Sequence, residues 1–432
     1  MKKIALLALS ALAAVELFSK TATMAGLADM REAAVWADFG NAEILKGAKA
    51  VCFSSKTPES KIDGKIVSAG DALRAGVAKI IFDGLLPNTA YDYVVSDSES
   101  VIKGSFKTKP DYVGRTPPPD FSFVAAGSNY FNDAAFDPPF RTPGGEYEIY
   151  SAIKNARPDF ILWAGPFNEF RSADVSSRSG VLCRLLDARK VSEISQLLNA
   201  QPNYGVPAAG MVADSSSAGA PFVRESFKLL WANPEGTDAS SSAYSFSYAD
   251  ADFFVLDDFS NRLNLDYRDD RPRMLGDAQL RWLFASLRNS KATFKFIVMN
   301  TPIANPVESS DNFTKATVER KALFDFLFDK KIGGVVMICA KKDYAELTRF
   351  VRAGCYPILE ITAGPLTARP AKEAAEMNYF RVPGSTVAAR SFSQIKVEGA
   401  EGSRSATVTF YDSKGRAVFS STVKETDLRK FD

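Results

Sequence analysis

The spacing of apolar residues changes character at Pro117-Pro118-Pro119, and no single-class fold accommodates both sides of that break. Ahead of it, short runs of alternating polarity at 33–38, 50–54, 65–67, 78–82, 91–95 and 101–106 are separated by turn residues, which predicts a small all-β unit. Beyond it, apolar strands at 121–126, 160–164, 253–256, 294–299, 334–339 and 357–362 alternate with helical segments at 147–156, 191–200, 222–231, 278–286, 318–328 and 344–350. Such alternation predicts an α/β layered domain. The chain then returns to strands at 392–397, 406–411 and 417–422, the last two joined by a hairpin turn at Ser413-Lys414-Gly415. Consecutive prolines are stiff and cannot extend a sheet, so 111–119 reads as the linker between the two units.

At the start of the chain, Lys2 and Lys3 precede an apolar stretch over 4–15, and Thr23 and Ala25 follow as small residues. This is the layout of a secretory signal peptide, expected to end after Ala25, with Ala22 as a competing site. The expected organisation is therefore a signal peptide at 1–25, a β unit at 26–110, the linker at 111–119 and an α/β domain at 120–432, in a protein exported to the periplasm, the cell surface or the medium. The leader is too short to span a bilayer, and no later segment has the length and polarity to do so.

Composition contributes one strong exclusion: the chain has no histidine. Histidine is the usual acid or base near neutral pH and the commonest metal ligand, so Ser-His-Asp triads and His-bearing metal centres are ruled out. Carboxylate-only metal sites, paired-carboxylate glycosidases and lysine chemistry stay open. With 53 basic and 51 acidic residues spread along the chain, there is no footprint for nucleic acid. Export permits disulfides among Cys52, Cys183, Cys339 and Cys355, but none has zinc-site spacing. Cys52 and Cys339 fall in or at the end of apolar runs and are expected to be buried thiols, with Cys339–Cys355 the pair to test first for a bridge.

Within the β unit, the stretch from Asp83 through Leu85-Leu86-Pro87 to Tyr91-Asp92-Tyr93 resembles the fibronectin type III signature, a Leu-Pro turn leading into a strand with a buried Tyr. Trp36 is expected to be the matching core aromatic. In the second unit, Gly144-Gly145-Glu146-Tyr147-Glu148-Ile149-Tyr150, Pro158-Asp159-Phe160-Ile161-Leu162-Trp163, Ser176-Ser177-Arg178-Ser179-Gly180, Asp252-Phe253-Phe254-Val255-Leu256-Asp257-Asp258 and Ser385-Thr386-Val387 are similar to the PhoD-like (alkaline phosphatase D type) branch of the metallophosphoesterases. The resemblance implies a four-layer αββα metallophosphoesterase-like sandwich preceded by a small fibronectin-like β-sandwich.

It also implies where metals and catalysis would sit, and each of those loops departs from the family pattern. Where the family has Gly-Ser-Cys this chain has Gly127-Ser128-Asn129, and where it has Trp-x-Gly-Asp-Asn this chain has Trp163-Ala164-Gly165-Pro166-Phe167. The acidic Trp-Asp-Asp-His-Asp-Tyr cluster aligns with Pro207-Ala208-Ala209-Gly210-Met211-Val212. The Gly-Asp-x-His-His loop aligns with Cys339-Ala340-Lys341-Lys342-Asp343-Tyr344. Proline and alanine offer no ligand atom, and an amide is a poor substitute for a thiolate. Without a cage for hard cations, nothing activates water against a phosphate ester. The expectation is a pseudoenzyme with no metal and no cofactor, acting as a binding, scaffold or envelope component toward a partner the sequence does not identify.

Two alternatives follow from the same residues. A rebuilt metal site would draw on Asp137, Asp214, Glu169 or Asp343 and retain phosphomonoesterase or phosphodiesterase activity. A phosphate- or anion-binding protein would use Lys341 and Lys342, placed in the vacated cavity, with Arg178 as a further candidate contact. The bland reading of both lysines is that they point into water. Asp257-Asp258 look like a catalytic pair but read better as scaffold carboxylates paired with Arg262 or Arg271.

Overall fold

The computed structural model describes residues 21–431 except 55, 69–75, 99, 209–214, 216, 238–240, 264–271, 309–311 and 341. Of the leader expected over 1–25, residues 1–20 lie outside the described residues.

The N-terminal unit contains β1 (Ala22–Ala28), β2 (Glu32–Asp38), a short helix α1 (Ala42–Lys46), β3 (Lys49–Ser54), β4 (Thr57–Asp63), β5 (Lys65–Ser68), β6 (Val77–Asp83), β7 (Ala90–Ser96) and β8 (Val101–Lys107). Among the described residues these form two four-stranded sheets, ordered β1-β2-β6-β5 and β4-β3-β7-β8. Their inner faces meet through Val35, Ile80 and Phe82 on one side and Cys52, Tyr93 and Phe106 on the other, so the unit is a β-sandwich. The Leu-Pro turn behaves as its sequence suggests: Tyr91 is buried and its hydroxyl accepts the Leu86 N–H at 2.9 Å.

Two expectations need correction here. The β unit starts earlier than 26, because β1 pairs with β2 from Ala22 onward and Ala25 lies in the middle of a strand. Close packing of β1 on the second domain requires glycine at one position: a Cβ on Gly26 would meet the Ala232 carbonyl oxygen at 2.7 Å. Trp36 is fully buried, but not in the sandwich core. Along β2, Ala33, Val35 and Ala37 face that core while Ala34 and Trp36 face the second domain, so the strand is buried on both sides. The Asn199 side-chain oxygen ties the domains, accepting from Thr23 and Tyr93 at 2.7 Å each.

The linker is held by Arg404, fully buried, which donates to the Pro118 and Pro119 carbonyls and pairs with Asp120 and Asp250 at 2.8 and 2.9 Å. The second domain then runs β9 (Phe121–Ala126), α2 (Ile149–Asn155), β10 (Phe160–Trp163), α3 (Arg178–Lys190), α4 (Ser192–Leu198), β11 (Asn203–Gly205), α5 (Ala220–Leu230), β12 (Tyr244–Tyr248), β13 (Ala251–Val255), α6 (Asp277–Asn289), β14 (Phe294–Val298), α7 (Thr317–Asp329), β15 (Val335–Cys339), β16 (Glu346–Phe350), β17 (Ile358–Thr362), β18 (Ser391–Glu398), β19 (Ser405–Asp412) and β20 (Ala417–Lys424). Among the described residues there are two six-stranded sheets, β11-β10-β9-β18-β19-β20 and β12-β13-β14-β15-β17-β16.

Phenylalanine joins the sheets. Phe123 of the first stands edge-on to Phe253 and Phe296 of the second, with ring centroids 5.1 and 5.2 Å apart, an arrangement favoured by the aromatic quadrupole. Helices α2 to α5 cover the outer face of the first sheet together with the β-sandwich, and α6 and α7 cover the second, giving four αββα layers. One predicted helix is a strand: 344–350 has apolar residues at helical spacing, but β16 pairs antiparallel with β17 over Glu346 to Phe350. Strands β9, β10 and β11 run parallel, as do β13, β14, β15 and β17, so the loops leaving their C-terminal ends gather along one edge, where open α/β sheets place their sites.

Candidate functional site

The loop after β9 crosses that edge against the loop after β17. A Cβ on Gly127 would sit 1.9 Å from the Gly364 carbonyl oxygen, so the first loop needs glycine for this approach. Asn129 follows, wholly buried and fully engaged. Its amide donates to the Phe167 carbonyl at 3.1 Å, its side-chain oxygen accepts the Tyr150 hydroxyl at 2.7 Å, and its N–H reaches the Pro166 carbonyl at 3.2 Å. Asn129 thus spends one amide N–H and its side-chain oxygen on stitching two loops together.

Pro166 and Phe167, in the second loop, close on apolar neighbours. The Phe167 ring stands edge-on to Trp163 and Trp231 at 5.2 and 5.5 Å, and the Arg189 guanidinium lies 4.1 Å from its centroid. Among the described residues, Pro166, Phe167, Phe170, Val206, Ala208 and Trp231 help line a crevice of about 30 Å³. That is room for about two waters, far below the roughly 300 Å³ at which ligand pockets begin. Ala209, Gly210 and Met211, and Asp214 of the rebuilt-site alternative, lie outside the described residues.

Lys341, in the fourth loop, also lies outside the described residues. Lys342 neither points into water nor stands free in a cavity. Its side chain is 7% exposed and its ammonium sits between the two Glu376 carboxylate oxygens at 2.7 and 2.8 Å, with the Tyr344 hydroxyl donating to the same carboxylate at 3.0 Å. Glu376 escaped the sequence reading because it lies 34 residues downstream, in a loop with no pattern to connect it. Burial pushes the Tyr344 hydroxyl far up its scale, with Glu346 and Glu376 adding to the effect.

Of the carboxylates named for a rebuilt site, Asp137 is drawn away by the Tyr130 hydroxyl at 2.5 Å and the Asp133 N–H at 2.6 Å. Glu169 and Asp343 are near enough to sense each other electrostatically. Among the described residues no three His, Cys, Asp or Glu side chains come together as metal ligands would. Arg178 pairs with Glu225 of α5 at 2.7 Å, clasping two helices at the surface. Asp257 is buried and receives the backbone N–H groups of Ser242, Phe259 and Ser260 at 2.8, 3.0 and 2.9 Å, while Asp258 receives that of Thr301 at 2.8 Å. Backbone amides, rather than an arginine, hold the Asp257 carboxylate, and Arg271 lies outside the described residues. The four cysteines are free thiols, with Cys52 and Cys339 buried.

Burial raises the Glu169 pKa above its ordinary 4.5, against the pull of the Ser128 hydrogen bond and Arg184. A carboxyl raised in this way keeps its proton in the folded state while the unfolded chain has already lost it, so it subtracts stability as pH rises from 4.5 through the folded value. Glu169→Gln is therefore expected to be more stable than the parent at about pH 8, with the difference closing toward about pH 4. Thermal unfolding of both proteins across that range checks this, and a gap that widens on acidification would contradict it.

Residues 235–425 match the family model for PhoD-like phosphatase. No curated protein matches the sequence. A solved structure of PhoD is 16% identical and superposes with a TM-score of 0.74, covering 95% of this chain and 91% of that one. The purple acid phosphatase PPD1 isolated from yellow lupin (Lupinus luteus) seeds is 12% identical, with a TM-score of 0.67 over 95% of this chain and 75% of its own. Likeness at these identities carries the architecture and says nothing of the chemistry. The fold is thus that of PhoD along nearly the whole chain, and its C-terminal portion, residues 235–425, is that of a PhoD-like phosphatase by the family model.

Proposed function

We propose that this protein is an exported PhoD-like pseudoenzyme, a non-catalytic binding or scaffold component of the cell envelope or surface. The observation that carries the reading is how the former metal loops are filled. Asn129 is spent on Phe167 and Tyr150, and Pro166, Phe167 and Ala208 border an apolar crevice of about 30 Å³. Phosphoryl chemistry in this fold family rests on metal-polarised water and charge neutralisation at those positions. No arrangement of Pro, Phe and Ala supplies either.

Lys342 supports the same reading against the anion-binding alternative, since its ammonium is already neutralised by Glu376. Among the described residues no helix is long and apolar enough to cross a membrane. Removal of a leader has to spare β1, because Thr23 and the Ala25 carbonyl are bonded to Asn199 and Asn203 of the second domain. The partner is a protein or envelope component and not nucleic acid, given the nearly balanced charge of +2.

The test is elemental mass spectrometry on protein purified from the exported compartment, beside turnover assays with a phosphomonoester and a phosphodiester. No stoichiometric metal and no turnover is the expected result. Stoichiometric metal with turnover that a chelator abolishes would overturn it.

A further inference from the structure

We infer that the crevice between the β-sandwich and α5 is a binding site for a small organic anion, a compact molecule with a carboxylate or phosphate head and a flat apolar body. The crevice has a volume of about 280 Å³ and is walled by Lys79 of β6 on the sandwich side, and by Phe227, Trp231, Ser242 and Tyr244 of the second domain. That volume is near the small end of ligand pockets, roughly 300–1,000 Å³.

Two polar groups on its wall are left without partners. Lys79 is half-buried and makes no hydrogen bond or ion pair with any described residue, and burial lowers its pKa although Glu235 lies near enough to oppose this. Ser242 is 7% exposed, and its hydroxyl is buried with no hydrogen-bond partner. Its backbone is fixed, because its N–H is bonded to Asp257 at 2.8 Å. Buried polar groups are seldom left unpaired in native structures, and those that are call for an occupant. An ammonium and a hydroxyl are both donors, and an oxyanion satisfies both at once.

Part of the remaining wall is aromatic and preformed. Trp231 and Tyr244 are buried, and the Tyr244 hydroxyl is anchored on the Gly205 carbonyl at 2.7 Å, which leaves its ring as a fixed surface. Lys228 and Glu235, one cation and one anion, lie exposed at the mouth. A cationic ligand would face the Lys79 ammonium, and a neutral one would leave it unpaired.

The experiment uses the full mature chain and two probes, 4-fluorobenzoate followed by ¹⁹F NMR and inorganic phosphate followed by ³¹P NMR. Saturable line broadening is expected for at least one of them, benzoate alone pointing to a carboxylate head with its body engaged and phosphate to a phosphoryl head. Lys79→Met is expected to weaken that binding at least tenfold. Glu235→Gln is expected to strengthen it severalfold, a gain that a damaged fold cannot imitate. Should Lys79→Met fail to fold, Lys79→Gln takes its place. Absence of saturation with both probes, or affinity unchanged by loss of the Lys79 charge, would overturn the inference.

Discussion

Truncating Arg189 to Ala is expected to leave the protein about 2–5 kcal/mol less stable than replacing the same residue with Met, as measured by denaturant unfolding. Arg189 is wholly buried where the two domains meet the second loop. Its guanidinium lies 5.3 Å from the Trp36 ring, 4.1 Å from Phe167 and 5.1 Å from Trp231. It donates to the Leu185 and Leu230 carbonyls, and its Nε has no partner. Among the described residues no carboxylate pairs with it, and burial lowers its pKa to about 9, which leaves it charged at neutral pH. A buried charge held only by ring faces and carbonyls recovers part of its desolvation cost and no more. Both variants remove that charge, so the difference between them isolates volume: Met refills the space among the three rings and Ala leaves a cavity. Met should also match or exceed the parent, since exchanging an unpaired buried ion for an apolar side chain of similar reach is often neutral or stabilising. Equal stability of the two variants would show that the aromatic neighbours collapse onto the vacancy and that Arg189 is not what spaces them.

Arg189 also marks the limit of what was legible in the sequence. Strands such as β9, β14 and β19 announced themselves by apolar runs or alternation. Helix α3 was passed over because its apolar positions are interrupted by Arg184 and Arg189, both of which turn inward. The stretch quoted for family resemblance, Ser176 to Gly180, contains its start: Ser177 caps it by accepting the Gly180 N–H at 3.0 Å. Strand β12 has strict alternation, with Tyr244, Phe246 and Tyr248 buried and the two serines between them exposed, a signal present in the sequence and not taken up. The four loops that the resemblance aligns with the family's metal positions can be compared with its pattern residue by residue, because that comparison needs only sequence. The contacts their side chains make cannot be read that way. Asn129 meeting Tyr150, Lys342 meeting Glu376 and Phe167 meeting Arg189 are contacts between segments 21, 34 and 22 residues apart, formed only once the loops converge at the strand ends.

Glu360→Ala is expected to be the most damaging single change on that edge, at about 3–5 kcal/mol, because three backbone donors lose their acceptor at once and each buried orphan costs about 1–3 kcal/mol. Glu360 projects from β17 and is wholly buried. Its carboxylate receives the N–H groups of Ile303, Ala304 and Asn305 at 2.5, 2.8 and 3.0 Å, which folds the loop after β14 around it. The neighbouring Glu346 extends the arrangement, accepting the Asn305 amide at 2.9 Å and pairing with Arg381 at 2.6 Å. Burial raises the Glu360 pKa and the three N–H groups oppose the rise, so the carboxylate depends on this loop as the loop depends on it. Glu360→Gln keeps one acceptor oxygen but turns an amide donor toward an N–H group, so it should recover only part of the loss. The pair of variants separates two accounts of how this edge stays ordered. If buried carboxylates and ion pairs organise the loops, Ala should be far worse than Gln, with increased hydrogen exchange confined first to residues 300–308. If the loops are held by apolar packing alone, Ala and Gln should behave alike and exchange should rise evenly along the edge. The first outcome fits a fold whose strand-end loops hold themselves in place with their own side chains.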